Sequence, residues 1–404
     1  MRKVLFLALR NTMRNRRRSL VTLAGITLGV AAAIFAQGFV AGIMGMIGSV
    51  MVDGRVGAVQ VHKKGHLQAD QDALNFAMAY DPALVQRIKA IKGVRAVSPR
   101  LTFEAMIGNG AQSTQANVTA IDMATETLVC INRFANVTGA PLAATSVAEG
   151  VLGTSLASGL DAKPGSTLQL LANAPGGRPN MLDVKVDGVA APSTAFEDKR
   201  SVTVPLAYAQ ELLSLSGKIT EYAIGVDNVE TADLVARELQ AQLGPEYQVV
   251  SWLDLLPQLR SIFGVFNGVL RLNIGVLMLL LLTGVANTMV MSLHERVREF
   301  GTMLALGVRR EKILRMVLAE STFLGLFGAM AGGTLGLLAT WLVDHNGLRI
   351  KAPGGEIPVV LHPHIGPVAV AVTLSIVVVV TLIAAVGPAW RASRLSPVEA
   401  LRSV

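Results

Sequence analysis

Three small groups of residues have the types and spacings from which chemistry is usually made. His62 and His66 stand four apart with Asp70 and Asp72 close behind, a spacing that could hold a divalent metal. Lys63, Lys64 and Gly65 between the histidines read instead as a solvated turn, so no metal ligand is assigned there. His362 and His364 flank Pro363 in a short segment near the C-terminus and are read the same way. The string SGKIT (Ser216–Thr220) comes nearest to a phosphate cradle, but it lacks the first glycine of GxxxxGK[ST] and the hydroxyl after the lysine. GxSxG, HExxH and CxxC are absent, and the single cysteine, Cys130, has no partner for a disulfide within the chain. No catalytic residue, metal site or cofactor is therefore expected in this sequence, and any ATP that drives it must be bound elsewhere.

What remains is a pattern of charge. HERVREFGTMLALGVRRE, His294 to Glu311, lies between MLLLLTGVANTMVMSL and a further apolar run that begins at Ser321. Its charges can be solvated, or they can select a partner. The like charges of Glu295 and Glu299, i,i+4 apart, are offset by Arg296 and Arg298, and Gly301 and Gly307 permit a break and a turn. A short amphipathic helix here could present Val297 and Phe300 to a protein groove while the charges choose the partner.

The elements that would position this stretch follow from composition. With 51% hydrophobic and 16% charged residues and a mean hydropathy of +0.50, the chain is too apolar for an ordinary soluble domain. Crossing a bilayer core takes about 20 apolar residues, and four stretches without acid or base supply them: Ser19 to Val52, Leu272 to Leu293, Ser321 to Val343, and one within Ile357 to Trp390, best placed at Pro367 to Val386. The first follows a basic run, as a cleavable signal would. A signal's apolar region, however, is only about 7 to 15 residues long, and this stretch is about twice that. Gly25 and Gly29, then Gly38 and Gly42, give it the spacing that lets two helix backbones approach closely in lipid, although glycine is also simply common in membrane helices.

Orientation comes from the basic residues beside the spans. Arg2, Lys3, Arg10, Arg14, Arg16, Arg17 and Arg18 precede the first, Arg296, Arg298, Arg309, Arg310, Lys312 and Arg315 fill the charged loop, and Arg391, Arg394 and Arg402 follow the last. All three segments are expected in the cytoplasm, which four spans allow. Together they hold more positive charge than the chain's formal +8. The high pI thus reports topology, and no nucleic-acid partner is expected.

The expected fold class is an α-helical membrane protein with four transmembrane helices and a large α+β extracytoplasmic domain inserted between helices 1 and 2. The divisions are an amphipathic N-terminus (1–18), the first span and stalk (19–51), the α+β domain (52–261), stalk and second span (262–293), the charged loop (294–315), the third span (316–343), a short outer loop (344–366), the fourth span (367–390) and a tail (391–404). Within the inserted domain, VRAVSPRLTFEAMI and ANVTAID read as strands around the turn NGAQSTQ, and MLDVKVDGVAA and YQVVSW as further strands. PALVQRIKAIKGV reads as a helix with Leu84, Ile88 and Ile91 on one side, and ETADLVARELQAQLG as one with Leu234, Leu239 and Leu243 together. A charged loop is expected in APSTAFEDKR, before a short strand and a helix that starts after Pro205.

ERVREFGTMLALGVRREKILRMVLAES resembles the cytoplasmic loop of the FtsX/MacB/LolCE-like ABC transporter permeases, of the type VII or mechanotransmission kind. That loop reads ER-x-RE-[IF]-G…ALG and is followed by a helix ending in glutamate. ALRNTMRNRRRSLVTLAGITLGVA is similar to the family's entry into its first span, and GPAWRASRLSPVEALRSV to its closing tail. The resemblance implies a permease subunit that dimerises with a second copy or a paralogue and docks two copies of a separate cytoplasmic ABC ATPase, which would bind the ATP and Mg. Glu295, Arg296, Val297, Arg298, Glu299, Phe300, Gly301, Leu306 and Gly307 would form the ATPase-coupling site, and Gly25, Gly29, Gly38 and Gly42 would pack helices. The outer domain would have porter-like ends with a second lobe at about 125–205, carried on helical stalks. Ile262 to Arg271 could be one of these stalks or a plain connector. The implied location is the bacterial inner membrane, with both termini cytoplasmic and the large domain periplasmic. The implied work is extraction or export of lipoprotein, lipid or amphiphilic cargo, with membrane lipids and a periplasmic adaptor or lipoprotein carrier as further partners. The division-associated members imply a different role, activation of a cell-wall hydrolase by the same stroke, but their outer domain is much smaller than the insertion here.

Overall fold

A computed structural model describes residues 16–190, 199–351, 358–394 and 396. The N-terminal basic segment before Arg16, most of the loop APSTAFEDKR, the side chains of Asp70 and Asp72 and the PVEALR tail lie outside the described residues. The chain forms two compact units. One consists of Met1–Ile43, Ile262–Leu348 and Leu361–Val404, and the other of Met44–Ser261 with Arg349–Val360.

The first unit holds the spans. Among the described residues, four helices are long and apolar enough to cross a membrane: Arg16–Met51, Pro257–Glu295, Arg310–Asn346 and Pro367–Ser393. Ile26, Val30 and Ile34 of the first pack with Leu281, Val285 and Met289 of the second, Leu324 and Ala329 of the third, and Val377, Ala384 and Ala385 of the fourth. Thr22 donates to Thr288 at 2.9 Å and Gln37 to Thr373 at 3.1 Å, so polar groups in this apolar setting find partners on other spans.

Within one chain Gly25, Gly29, Gly38 and Gly42 of the first span meet different neighbours. A Cβ on Gly42 would lie 2.8 Å from Pro363 Cα, and one on Gly38 would lie 3.1 Å from Thr340, so both mark close approaches. Gly25 has nothing within 4 Å and Gly29 only an ordinary contact with Leu281. The tighter stripe is on the third span, where a Cβ at Gly328, Gly332 or Gly336 would strike Ile26, Thr27 and Val30, or Ile34 of the first.

The second unit is built on a ten-stranded sheet. Its strands are β1 (Val59–Lys63), β3 (Val94–Gly108), β4 (Ser113–Ile121), β5 (Val137–Gly139), β6 (Glu149–Gly153), β7 (Thr167–Ala174), β8 (Arg178–Ala190), β9 (Ser201–Pro205), β11 (Glu221–Val226) and β12 (Tyr247–Ser251), while β2 (Met78–Ala79) pairs with β10 (Lys218–Ile219) apart from it. The order is β12-β1-β11-β3-β4-β9-β6-β8-β5, with β7 joining β3 and β8. The segment read as a second lobe shares this sheet with the rest, because β3 is 15 residues long and pairs with β11 at one end and β7 at the other. The largest core lies around β3, β4 and β6 to β9, where Leu101, Ile107, Leu152, Leu170, Val184 and Val204 are buried with Tyr208 and Leu212.

Helix Pro82–Lys89 is capped by Asp81, whose carboxylate accepts from the Ala83 N–H, and buries Leu84 and Ile88 as its spacing predicts. Helix Ala232–Leu243 corrects one expectation. It buries Val235, Ala236, Leu239 and Leu243, whereas Leu234 is 61% exposed. Leu234 lies five residues from Leu239, well off the face that positions three and four residues apart share.

Lys64 and Gly65 form the expected turn, with Lys63 and Lys64 exposed, but the two histidines that flank it are not solvated. His62 is fully buried on β1, His66 is also buried, and their rings stack at 4.8 Å. No group of three or more metal-ligating side chains occurs among the described residues. His362 instead faces the Asp344 carboxylate at 2.8 Å.

Candidate functional site

The charged stretch is mostly helix. The second span runs to Glu295 and stops at Arg296, whose backbone leaves helical geometry at φ −115°, ψ 13°. A separate helix, Val297–Ala305, follows, and the third span starts at Arg310. This corrects two local expectations. The break comes at Arg296 and not at Gly301, which is buried inside the short helix, and Glu295 and Glu299 therefore sit on different helices rather than i,i+4 on one. The turn at Gly307 does form. Its φ of +82° suits glycine, its N–H donates to Leu304 O and the Val308 N–H to Met303 O, both at 3.0 Å, which closes the end of the short helix.

The side chain that breaks the helix also ties it down. Arg296 Nε donates to Glu299 and Nη1 to Glu320 of the third span, each at 3.1 Å, and its guanidinium lies 5.0 Å from the centre of the Phe300 ring. Phe300 is 1% exposed and packs with Leu293, Ile313, Met316, Val317, Ala389 and Ala392, at the ends of the second, third and fourth span helices. Phe300 is thus not presented to a partner groove. Its ring is better used as the pin that holds the short helix against its own bundle, because an exposed phenylalanine would forfeit that packing. Val297 is half-buried beside it.

The outer surface of the same segment is polar apart from Ala305 and Leu306. Glu295, Arg298, Thr302, Gly307, Arg309, Arg310, Glu311, Lys312 and Arg315 are exposed, and Leu306 is 81% exposed at the tip of the turn. The arrangement offers ionic contacts, one strongly exposed leucine and a rigid support. Glu320 is the partner of Arg296 that reading along the chain does not pair with it. It stands 24 positions from Arg296, and only the return of the third span brings the two together; the one signal in the sequence is a carboxylate at the edge of an apolar run.

Two family models match the chain: the MacB-like periplasmic core domain over residues 19–242 and the FtsX-like permease C-terminal region over residues 272–397. An uncharacterized ABC transporter permease of Methanocaldococcus jannaschii is 28% identical over 154 residues, covering 37% of this chain and 38% of that protein. The lipoprotein-releasing system transmembrane protein LolC of Xylella fastidiosa (strain 9a5c) is 23% identical, covering 56% of this chain and 57% of LolC. The macrolide export ATP-binding/permease protein MacB of Shewanella sp. (strain W3-18-1) is 27% identical, covering 54% of this chain and 34% of MacB. In each case the match spans less than two thirds of the relative's own length. Among solved structures, the periplasmic region of MacB from Actinobacillus actinomycetemcomitans aligns at a TM-score of 0.35 and 12% identity, covering 52% of this chain and 94% of that one. The charged segment and the three C-terminal spans fall in the FtsX-like region, and the first span with most of the inserted domain falls in the MacB-like region. The chain therefore belongs to the ABC transporter permeases that join a MacB-like periplasmic core domain to an FtsX-like C-terminal region, and it is an inner-membrane protein.

Proposed function

We propose that this permease relays ATP-driven movement of a separate cytoplasmic ABC ATPase to its periplasmic domain, where lipoprotein, lipid or amphiphilic cargo is extracted or exported. The carrying observation is the short helix Val297–Ala305, which is fixed to the spans through Arg296, Glu320 and Phe300 and lined outside with charge. A partner that pushes on such a helix moves the second and third span helices with it, since helix, arginine and span form one packed body. The relay works on two copies of the ATPase, with ATP and Mg bound there, and on a pair of permeases embedded in lipid, with both termini and the short helix in the cytoplasm. The class of cargo is taken from the relatives, whose names specify lipoprotein release for LolC and macrolide export for MacB.

The reading is tested by Glu295→Lys combined with Glu299→Lys, expressed with its partner ABC ATPase. Membrane insertion should be unchanged, while co-purification of the ATPase and permease-stimulated ATP turnover should fall by about tenfold, a loss typical of reversed charges at an interface. Full co-purification with full turnover would show that the segment is not the handle. If the parent complex turns over ATP without releasing lipoprotein or moving a lipid or drug, yet activates an added cell-wall hydrolase, the transport half of the reading is wrong.

A further inference from the structure

At its outer end the first helix does not finish as an α-helix. Val52–Val56 is a π-helical turn that precedes Gly57 and β1, and it belongs to the same compact unit as the sheet. π-Helical turns are rare, well under about 1% of residues, and are found mostly at functional positions. The last carbonyls of any helix lack partners within it and are ordinarily left to water. Here the protein takes them. Asn132 N–H donates to Asp53 O at 2.9 Å, Arg133 Nη1 to Arg55 O at 3.1 Å and Arg100 Nη1 to Val56 O at 3.1 Å, while Cys130 Sγ lies 3.2 Å from Val52 O.

The two arginines are themselves held by buried carboxylates. Arg100, on β3, binds both oxygens of Glu126 at 3.0 and 2.7 Å and reaches Glu221 on β11 at 3.4 Å; Arg133 shares Glu126 at 2.8 Å. All four side chains are at most 6% exposed. Burial works to raise the Glu126 pKa, but the two guanidiniums outweigh it and hold the carboxyl at about 2. Buried ion pairs are seldom more stabilising than well-packed apolar side chains of the same size, so such a cluster is weak evidence for stability and better evidence for a fixed geometry. One turn earlier, Trp252 lies against the first helix where a Cβ on Gly48 would sit 3.3 Å from its ring, and the Trp252 N–H donates to Ala58 O at 3.0 Å. The two ends of the inserted domain therefore meet beside the same turn.

We propose that Arg100, Arg133 and Glu126 form a rigid joint that clamps the unwound last turn of the first stalk to the sheet of the periplasmic domain, so that stalk and sheet move as one piece. The three are positioning residues: they act on the main-chain carbonyls of Arg55 and Val56 and touch no cargo. The inference rests on the relay reading above, for which it names the point of attachment.

The test uses the full chain with its ATPase in nanodiscs and spin labels at Val50→Cys and Val147→Cys, with a second pair at Met291→Cys, an exposed position of the second span outside the coupling segment, and Val147→Cys. In the parent, the Val50 to Val147 distance should be narrow and the same without nucleotide as with ATP and vanadate, while the Met291 to Val147 distance should shift with nucleotide. In Arg100→Met with Glu126→Met, which removes charge without orphaning a partner of that pair, the first distribution should broaden and the second should lose its nucleotide response. ATP turnover should stay within about twofold, because the coupling lost is mechanical and no residue of the ATPase-coupling segment is changed. Arg133→Gln, which leaves the Arg100–Glu126 pair intact, is the second variant should the first not fold, and a partial loss is expected. Narrow, nucleotide-responsive distances in a folded variant would overturn the joint. If the parent's Met291 to Val147 distance ignores nucleotide, the relay reading fails, whereas the Val50 to Val147 comparison still decides whether the joint is rigid.

Discussion

Arg296 carries more of the site than its place in a run of charge suggests. It ends one helix, neutralises Glu320 and covers Phe300, and its side chain is only 11% exposed. Arg296→Ala should therefore destabilise the bundle by about 3 kcal/mol, because it leaves the Glu320 carboxylate without its cation. Arg296→Met with Glu320→Leu should recover most of that, and unfolding of the intact protein in SDS would measure both; a double variant no better than the single would show that the pair does not carry this term. His62 makes a different prediction. Its Nδ1 has no partner, and burial, aided by His66 and opposed by Glu221, holds its pKa down to about 4 from 6.5. A histidine kept neutral in the fold supports it fully above pH 6.5 and loses that support as the pH falls towards 4. The protection factors of β1 amides in the full chain, exchange rates corrected for the intrinsic pH dependence of exchange, should fall across that window, and His62→Gln should remove this dependence; an unchanged slope would assign it to other groups. Little of this was readable from residue order. The charges at Glu295 to Glu299 are plain in the sequence, but burial of His62 and of Phe300 depends on which strands and spans come to lie beside them.

At the scale of elements, the third span is where small residues matter most within one chain. A Cβ at Gly332 would lie 2.6 Å from Thr27 O and Val30 Cβ, backbone and β-branched side chain that cannot swing away. Gly332→Leu should cost about 2 kcal/mol or more through overpacking, whereas Gly25→Ala, which meets nothing within 4 Å, should leave unfolding in SDS unchanged. Equal effects at the two positions would mean that the first and third spans are not packed as described. Spans, strands β3 and β4 and the capped helix after Asp81 are all legible in hydropathy and turn residues, because each is fixed by neighbours close in sequence. The glycine stripe is not. GAMAGGTLG and GITLG have the same small-residue character, and only the partner helix decides which is used.

At the scale of the whole molecule, a chain that is mostly membrane helix and sheet devotes one short helix and one turn to the solvent between its second and third spans. That turn holds Leu306 at 81% exposure, beside Gly307, whose φ of +82° shapes the turn. Burying a leucine is worth about 1.5–3 kcal/mol, a gain that the ATPase docking proposed above would supply and a lone permease would lack. A permease expressed alone should then be degraded faster than one expressed with its ATPase, and Leu306→Ser should lengthen the half-life of the lone chain in a pulse-chase measurement; equal half-lives in all three would remove the idea. On the proposed reading, the exposed leucine would serve as a tally of assembly, through which a cell's proteases could keep the two subunits in step.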